Sequence, residues 1–314
     1  MISSLTPDGL YFGMSAEDYH ADPALGSTNL KDLLVDPLIY WWNSAYNPSR
    51  EQSDTDSPSK KIGRAVHAFV LDGREVFEKS YGRCAYPGNI KAGKQEREDF
   101  EFQGLTPLRG EDYDRIVTAG TMIRANPALS EAFTNGMPEV SIFWTEEVDG
   151  EEVRRKARFD YLKIRAISDL KSHAPMERLT FRASCHRAVK LYNYALQAAA
   201  YLQGRRLLPL FVKQGLVFGD HDPEWLGKVA ASKDFAFVLT FWASTGAPLT
   251  WGGVFSPQNP KITTAEADIE LALHRFVRSR RRFGTEIAWI ESEPLSEIDP
   301  TNIDEFWRME GAAG

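Results

Sequence analysis

Cysteine is scarce in this chain, which contains only Cys84 and Cys185 among its 314 residues. The two thiols lie far apart and outside any Cys-x-x-Cys spacing, which argues against a disulfide framework, a zinc site or an iron–sulfur cluster. A run of about eighteen apolar residues is also missing, and no basic stretch followed by an apolar one begins at Met1. We therefore expect neither a membrane span nor a secretory signal, and we predict a cytoplasmic protein.

Glycine-rich strand–turn–helix fingerprints, internal repeats and low-complexity tracts do not occur either. The missing glycine fingerprint disfavours an oxidoreductase that binds a dinucleotide cofactor. With 43% hydrophobic residues in 314 positions, the chain can bury a large core, and no change in composition forces a second domain. We predict one domain over 1–314, with a helical N-terminal elaboration at 1–60, a core region at 61–290 and a tail at 291–314.

Basic residues are outnumbered by acidic ones, and the formal net charge is −7. Such a balance is unusual for a protein that binds nucleic acid. The basic residues nevertheless form four clusters, at Lys60–Arg64, Lys91–Arg97, Arg154–Arg158 and Arg278–Arg282. A solvated helix or strand face explains any single cluster, whereas two clusters beside the candidate site segments favour contact with phosphate groups.

Three consecutive strands are predicted near the middle of the chain, over Glu139–Trp144, Val153–Tyr161 and Ala166–Lys171. Asp149-Gly150 is typical of the tight turn that joins the first two strands as a hairpin. Since side chains alternate along a strand, Asp169 and Lys171 share one face and Leu170 points to the other. A half-buried carboxylate at position 169 would be costly unless a cation accompanied it.

The remaining elements complete a mixed sheet flanked by helices, which we assign to the α/β (α+β) class. Helical spacing of apolar residues predicts one helix around Ile62–Val70 and another around Tyr113–Ile123. A polar loop is expected over Asn47–Ser59. The other predictions are a long helical region over about Pro175–Gly204, strands over Leu208–Phe218, Phe235–Trp242 and Trp251–Phe255, and a last helix that Thr263 and Glu266 cap and Gly284 ends.

Asp160, Asp169 and Lys171 would carry two carboxylates and one ammonium on adjoining strands. Phosphodiester hydrolysis needs an activated water and relief of negative charge, and a divalent metal ion supplies both. Mg²⁺ prefers oxygen ligands, so we predict Asp160 and Asp169 as ligands, with the carbonyl of Leu170 as a third. Lys171 then orients the water or neutralises the transition state. A simple salt bridge between Lys171 and either aspartate explains the same residues without catalysis.

Other residues give weaker signals. Glu139 can face the same site or merely begin a surface strand, and a helical His67 can be a metal ligand or an ordinary core or surface residue. Tyr194, Gln197 and Tyr201 share one helix face. A buried amide without partners would cost about 1–3 kcal/mol, so Gln197 is expected to meet a polar group.

The order of these residues resembles the PD-(D/E)XK nuclease superfamily, in the branch of exonuclease VIII (RecE-type) and phage alkaline exonucleases. The residues that carry the resemblance are Gly63-Arg-Ala-Val-His67, Glu139, Asp160, Asp169-Leu-Lys171 and Gln197-x-x-x-Tyr201, with further likeness at Met14–His20, Asp36–Trp41 and Lys91–Lys94. The likeness extends from about Gly9 to Pro294. Phe159 departs from the proline that names the superfamily, and Asp169 stands where many members have Glu.

The resemblance implies an exonuclease that degrades one strand of linear duplex DNA from 5′ to 3′ and leaves a 3′ strand for a single-strand annealing protein. It further implies Mg²⁺, with Mn²⁺ as an alternative, two ions per site, and a ring of three or four subunits. The implied roles are metal ligation by His67, Asp160, Asp169 and Leu170, catalysis by Lys171 with Glu139, Asp160, Asp169 and Gln197, and contact with the terminal nucleotide by Tyr194 and Tyr201.

Arg64, Lys91 and Lys94 are candidates for binding the 5′ phosphate, although no motif fixes that role. An endonuclease of the same fold remains an alternative, as does a DNA-end-binding module without catalysis. The intact set of Asp160, Asp169 and Lys171 argues against the second alternative, because a scaffold has no reason to keep a desolvated pair of like charges.

Overall fold

A seven-stranded mixed β-sheet forms the centre of the molecule in the computed structural model, which describes residues 5–50, 57–292 and 294–295. The strands are β1 Gly9–Tyr11, β2 Tyr81–Cys84, β3 Thr106–Arg109, β4 Gly136–Val148, β5 Glu151–Lys163, β6 Ala166–His173, β7 Val217–Phe218, β8 Ala236–Ala243 and β9 Thr250–Phe255. Their order in the sheet is β7-β1-β4-β5-β6-β8-β9, and β2 pairs with β3 separately. The predicted fold class, a central mixed sheet flanked by helices, is confirmed.

The helices lie on both sides of this sheet. They are α1 Ala16–Ala21, α2 Ser27–Val35, α3 Pro37–Asn43, α4 Pro58–His67, α5 Arg74–Ser80, α6 Lys91–Phe102, α7 Gly110–Ala125, α8 Phe181–Leu191, α9 Tyr194–Arg206, α10 Leu208–Gln214, α11 Pro223–Ala231 and α12 Pro260–Phe283, with a π-helical turn at Ala68–Asp72 after α4. Among the described residues, no helix is long and apolar enough to cross a membrane.

The hairpin of β4 and β5 is the longest paired unit of the sheet. Val148 pairs with Glu151, and the two turn residues between them, Asp149 and Gly150, have φ values of 53° and 77°. Two consecutive positive φ values are typical of the turn whose twist matches that of the flanking strands. The predicted hairpin is therefore confirmed, and its strands extend beyond the predicted ends.

Two large hydrophobic cores, with a smaller cluster around Tyr19 and Phe143, hold the helices against the sheet. On one face, Phe159 and Ile167 pack in the main core with Leu196 of α9. On the other face, Leu170 packs in a second core with Ile116 of α7. The N-terminal helices α2 and α3 contribute to the main core, so the first part of the chain packs directly on the sheet region.

Two predicted elements between β6 and β8 were wrong. The long helix is interrupted at Asn193, which has a φ of 46° and whose side chain accepts a hydrogen bond from the Leu196 N–H to begin α9. The segment Leu208–Phe218 was predicted as a strand but forms α10 followed by the short β7. Pro209 lies in the first turn of α10, where proline fits a helix, and Leu208 and Phe211 are buried at helical spacing.

The start of α12 also differs from the prediction. Its cap is Asn259, whose side chain accepts from the Lys261 N–H, and Pro260 follows, so the helix begins before Thr263. Gly284 ends the helix as predicted. Residues 51–56 of the predicted loop and most of the predicted tail lie outside the described residues, and Pro58 already belongs to α4.

Trp289 should be a major contributor to stability. Its side chain is 0% exposed, and its ring lies 5.4 Å from Tyr40, 5.9 Å from Tyr46 and 5.8 Å from Phe276. Because truncation leaves a cavity between α3 and α12, we expect Trp289→Ala to lower the free energy of unfolding by about 3–5 kcal/mol. Urea denaturation measures this change. The matched control is Trp42→Ala, since Trp42 is 62% exposed; equal losses in the two variants would contradict the packing role.

Candidate active site

The candidate site lies where β5 and β6 separate. The paired register of these strands contains Tyr161 with Ser168 and Leu162 with Ile167. Beyond it, the Leu170 N–H donates to Asp160 Oδ2 at 2.8 Å. The Asp160 carboxylate thus accepts the hydrogen bond that a backbone carbonyl of β5 would accept in regular strand pairing. This bond holds a charged group at the opening between β5 and β6.

Asp169 and Lys171 lie on the face of β6 that is turned toward α9, as the alternation predicts. Lys171 Nζ is 2.6 Å from Asp169 Oδ2, and Asp169 is 0% exposed. Burial raises the pKa of Asp169, while the charge of Lys171 opposes this effect. Burial alone would lower the pKa of Lys171, but Asp169 and Asp160 together raise it above its ordinary value. Lys171 is therefore a charged ammonium beside a buried carboxylate.

Gln197 of α9 completes the surroundings of Asp169. Its amide nitrogen donates to Asp169 Oδ1 at 2.9 Å, which satisfies the expectation that a buried glutamine meets a polar partner. Asp169 Oδ2 has no hydrogen bond of acceptable geometry, although Lys171 is close to it. Gln197 therefore holds Oδ1 of the buried carboxylate, whereas Oδ2 faces the ammonium of Lys171.

His67 connects two further carboxylates of the site. It is the last residue of α4, and its Nδ1 lies 3.4 Å from Glu139 Oε1 while its Nε2 lies 3.8 Å from Asp160 Oδ2. Burial would lower the pKa of His67, but Asp160 and Glu139 raise it to about 9. The imidazole thus lies between the two acidic groups, and the π-helical turn follows immediately.

Glu139 reaches the site through an unusual backbone conformation. It has a φ of 54° inside β4, between the paired residues Pro138 and Val140. A non-glycine residue in the left-handed region costs free energy, and such residues concentrate at functional sites. Arg158 donates to Glu139 Oε2. Burial raises the pKa of Glu139, but the hydrogen bond from His67 and the charge of Arg158 lower it overall.

The aromatic residues of α9 have different environments. The Tyr194 ring lies 5.1 Å from Lys171 Nζ, so Tyr194 is part of the site. Tyr201 is only 9% exposed and packs against Phe159 and Phe237 in the main core. The three residues share one face of α9, as predicted, and the buried Tyr201 ring supports the site from within the core. The predicted contact of Tyr201 with a nucleotide stays a prediction.

Two residues of the site were missed by the sequence analysis. Arg158 precedes Asp160 by two positions on the same strand, and that alternation could have revealed it. Lys31 of α2 lies 5.5 Å from the Tyr194 ring and donates to the Tyr192 carbonyl at 2.6 Å. Burial, reinforced by the nearby charge of Lys171, lowers the pKa of Lys31 to about 8. No motif marked Lys31, since only tertiary packing brings α2 to this site.

The basic clusters proved to be of two kinds. In the cluster on β5, Arg155 is 1% exposed and bonds Glu146, while Lys156 donates to the Tyr19 and Asp22 carbonyls. In the cluster on α12, Arg280 and Arg281 both pair with Glu151, and Arg278 pairs with Glu291. Most members of these two clusters therefore serve internal contacts, which explains them without phosphate binding.

The clusters on α4 and α6 are different, because Arg64, Lys91 and Lys94 are exposed. Arg64 lies one turn before His67 on α4, and the other two lie at the start of α6 beside the small sheet of β2 and β3. Their assignment to the 5′ phosphate stays a prediction.

A hard divalent cation fits the two aspartates of the site. Asp169 offers a buried oxygen without a hydrogen bond, and Asp160 is adjacent at the strand opening. Within the described ranges, no three His, Cys, Asp or Glu side chains are close enough to enclose a metal, so His67, Asp160 and Asp169 are not assembled as a closed ligand set. Mg²⁺ does not require one, since one or two carboxylates, waters and a substrate phosphate usually suffice. The roles of His67 and of the Leu170 carbonyl as ligands stay predictions.

A mixed sheet that carries Asp160 on one strand, Asp169-x-Lys171 on the next and Gln197 on the facing helix defines a nuclease domain of the PD-(D/E)XK superfamily. The family model described as "PDDEXK-like domain of unknown function (DUF3799)" matches residues 44–213, more than half of the 314 residues. The chain therefore belongs to this family, and nucleases of this superfamily generally use divalent metal ions.

A solved structure supports the fold. The crystal structure of a "Putative exonuclease" from Eubacterium rectale is similar over 93% of this chain and 98% of its own, with a TM-score of 0.51 and 13% sequence identity. At that identity the similarity concerns the fold alone. No curated protein matches the chain at a significant level.

Gln197→Ala should test how Asp169 is held. The substitution leaves Asp169 Oδ1 buried without its partner, so we expect a loss of about 1–3 kcal/mol in the free energy of unfolding. Urea denaturation provides the measurement, and Gln214→Ala at the exposed end of α10 is the control that should change little. Equal stability of the two variants would show that the hydrogen bond of Gln197 is not a significant constraint on Asp169.

Proposed function

We propose that this protein is a metal-dependent exodeoxyribonuclease that degrades linear duplex DNA from its 5′ ends. The observation that carries the proposal is the opening between β5 and β6, where Asp160, the buried Asp169 and the charged Lys171 lie together. A site for hydrolysis of a phosphodiester needs oxygen ligands for a cation and positive charge for the phosphate. Both are present on adjacent strands.

The residues of the chain have distinct parts in this proposal. A bound Mg²⁺ would be held by Asp160 and Asp169, and it would supply an activated water and neutralise developing charge. Gln197 fixes the orientation of Asp169 through its hydrogen bond. Lys171 offers an ammonium to the phosphate or to the attacking water, and the face of Tyr194 keeps that ammonium in position.

His67 and Arg158 contact the two oxygens of Glu139 and hold it in its strained conformation at the edge of the site. Glu139 thereby stays ionised beside Asp160, where it can accept a proton or position a water. The pair of Glu139 and His67 is thus proposed to assist the chemistry.

The exonuclease assignment, its 5′ to 3′ direction, a second metal ion, a ring of three or four subunits and a single-strand annealing partner are supported by the resemblance of the motifs. The exonuclease name of the structural neighbour agrees with the first of these. A non-catalytic end-binding module is disfavoured, because burying Asp169 and Lys171 carries a desolvation cost that hydrolysis explains and a scaffold does not.

Linear duplexes labelled at either end, incubated with and without Mg²⁺, test the proposal directly. We expect label to be released from the 5′ side only, no release in the presence of a chelator, and recovery when Mg²⁺ is restored. Covalently closed plasmid should stay intact. Cleavage of the plasmid would replace the exonuclease assignment by an endonuclease, and the absence of any cleavage in Mg²⁺ or Mn²⁺ would reject a nuclease.

Lys171→Met and Asp169→Asn should abolish most hydrolysis and preserve DNA binding. Removing one preorganised charge from a transition state typically costs on the order of 10²–10³-fold in rate, and we expect at least this loss for each variant. Single-turnover cleavage of labelled duplex measures it. The controls are Lys213→Met and Asp220→Asn, which alter exposed residues of the same types. A rate within a few-fold of the wild type for either site variant would remove that residue from the mechanism.

A further inference from the structure

Four basic side chains lie on the solvent-exposed side of α8. Arg182, His186, Arg187 and Lys190 are exposed, whereas Ser184, Cys185 and Ala188 are buried against the protein. At 100° per residue the basic positions lie opposite the buried ones, so they form one continuous surface, which we call the α8 face. The α8 face spans from Arg182 to Lys190, which corresponds to about 12 Å along a helix.

The cations of the α8 face have no carboxylate partners among the residues that the structure describes. The segment 178–219 contains no Asp or Glu, although the whole chain has a net charge of −7. In the part of the chain that the structure describes, Arg182, Arg187 and Lys190 have no carboxylate within 4.0 Å. By contrast, arginines of the β5 and α12 clusters have carboxylate partners within that distance. Within the described ranges, this exposed row of cations on an acidic protein therefore has no ion-pair partner.

Both ends of α8 are attached to the candidate active site. Near its start, Ser184 Oγ lies 2.6 Å from His173 Nε2, and His173 follows Lys171 by two residues on β6. At its end, the Tyr192 carbonyl accepts from Lys31, and the Tyr192 ring lies 5.7 Å from the Tyr194 ring. These contacts place α8 next to the elements that carry Lys171 and Tyr194.

We propose that the α8 face binds the phosphate backbone of the DNA strand that leads into or out of the active site. This inference rests on the proposed function and deepens it by naming the surface that holds the substrate. Phosphates of one strand are about 3.4 Å apart along the duplex axis, so the α8 face covers three or four of them. Tyr192 is 52% exposed at the end of the face, where an aromatic ring can stack on a base.

An acidic protein segment is the competing occupant, and the position of the face favours DNA. The cations continue through Lys31 and Lys171 to the aspartates of the site, and exposed Tyr192 lies on that path. A row of cations beside aromatic rings that leads to a hydrolytic centre is what a nucleic-acid strand requires, since the backbone is charged and the bases have π faces.

The test is the triple variant Arg182→Gln, Arg187→Gln, Lys190→Gln of the full chain. Binding of a fluorescein-labelled linear duplex is measured by anisotropy in EDTA over a range of salt concentrations, so no hydrolysis interferes. Each phosphate contact that is lost reduces the slope of log K against log salt by about one. We expect a decrease of about three, weaker binding at every salt concentration, and an unchanged melting temperature.

The matched control is Lys79→Gln, Lys213→Gln, Lys228→Gln, which removes the same charge from exposed positions on three other helices. A salt slope of the α8 variant equal to that of this control would overturn the inference. Loss of poly-glutamate binding with intact duplex binding would overturn it as well, in favour of an acidic protein. Cleavage by the wild type is assayed separately with Mg²⁺, so failure of the nuclease proposal is distinguishable from failure of the α8 face.

Discussion

The buried contact between Asp169 and Lys171 is the interaction on which the site depends. A carboxylate that is 0% exposed carries a large desolvation cost, and this molecule offsets it with the ammonium 2.6 Å away and the Gln197 amide at 2.9 Å. These partners require β6 and α9 to pack at a fixed separation. The main core therefore does more than stabilise the fold, because the packing of β6 on α9 sets the distance between the Asp169 carboxylate and the Gln197 amide.

The positive φ of Glu139 and the end of the pairing between β5 and β6 both help to form the opening at the site. Asp160 takes over as acceptor for the Leu170 N–H, and Glu139 adopts a positive φ in the neighbouring strand. Regular pairing would leave no opening between the strands. The local departures from ideal sheet geometry thus bring His67, from a helix on the second core, within reach of both carboxylates.

The distribution of basic residues shows why net charge is a poor guide to nucleic-acid binding here. Most residues of the dense clusters on β5 and α12 make internal contacts, such as those of Arg155 with Glu146 and Arg280 with Glu151. The cations of α8 are spaced at helical intervals and so do not stand out as a cluster in the sequence. Charges that face solvent without partners are the ones available to an anionic ligand.

The sequence alone determined the strand trio, the hairpin turn and the common face of Asp169 and Lys171, because these follow from local alternation and turn chemistry. The order of motifs also identified the superfamily. Only the tertiary structure decided that Leu208 begins a helix, that Tyr201 is buried, that Lys31 reaches Tyr194, and which arginines are internally paired. Those outcomes depend on contacts between residues far apart in the chain, and no local pattern encodes which distant charge or apolar surface a side chain will meet.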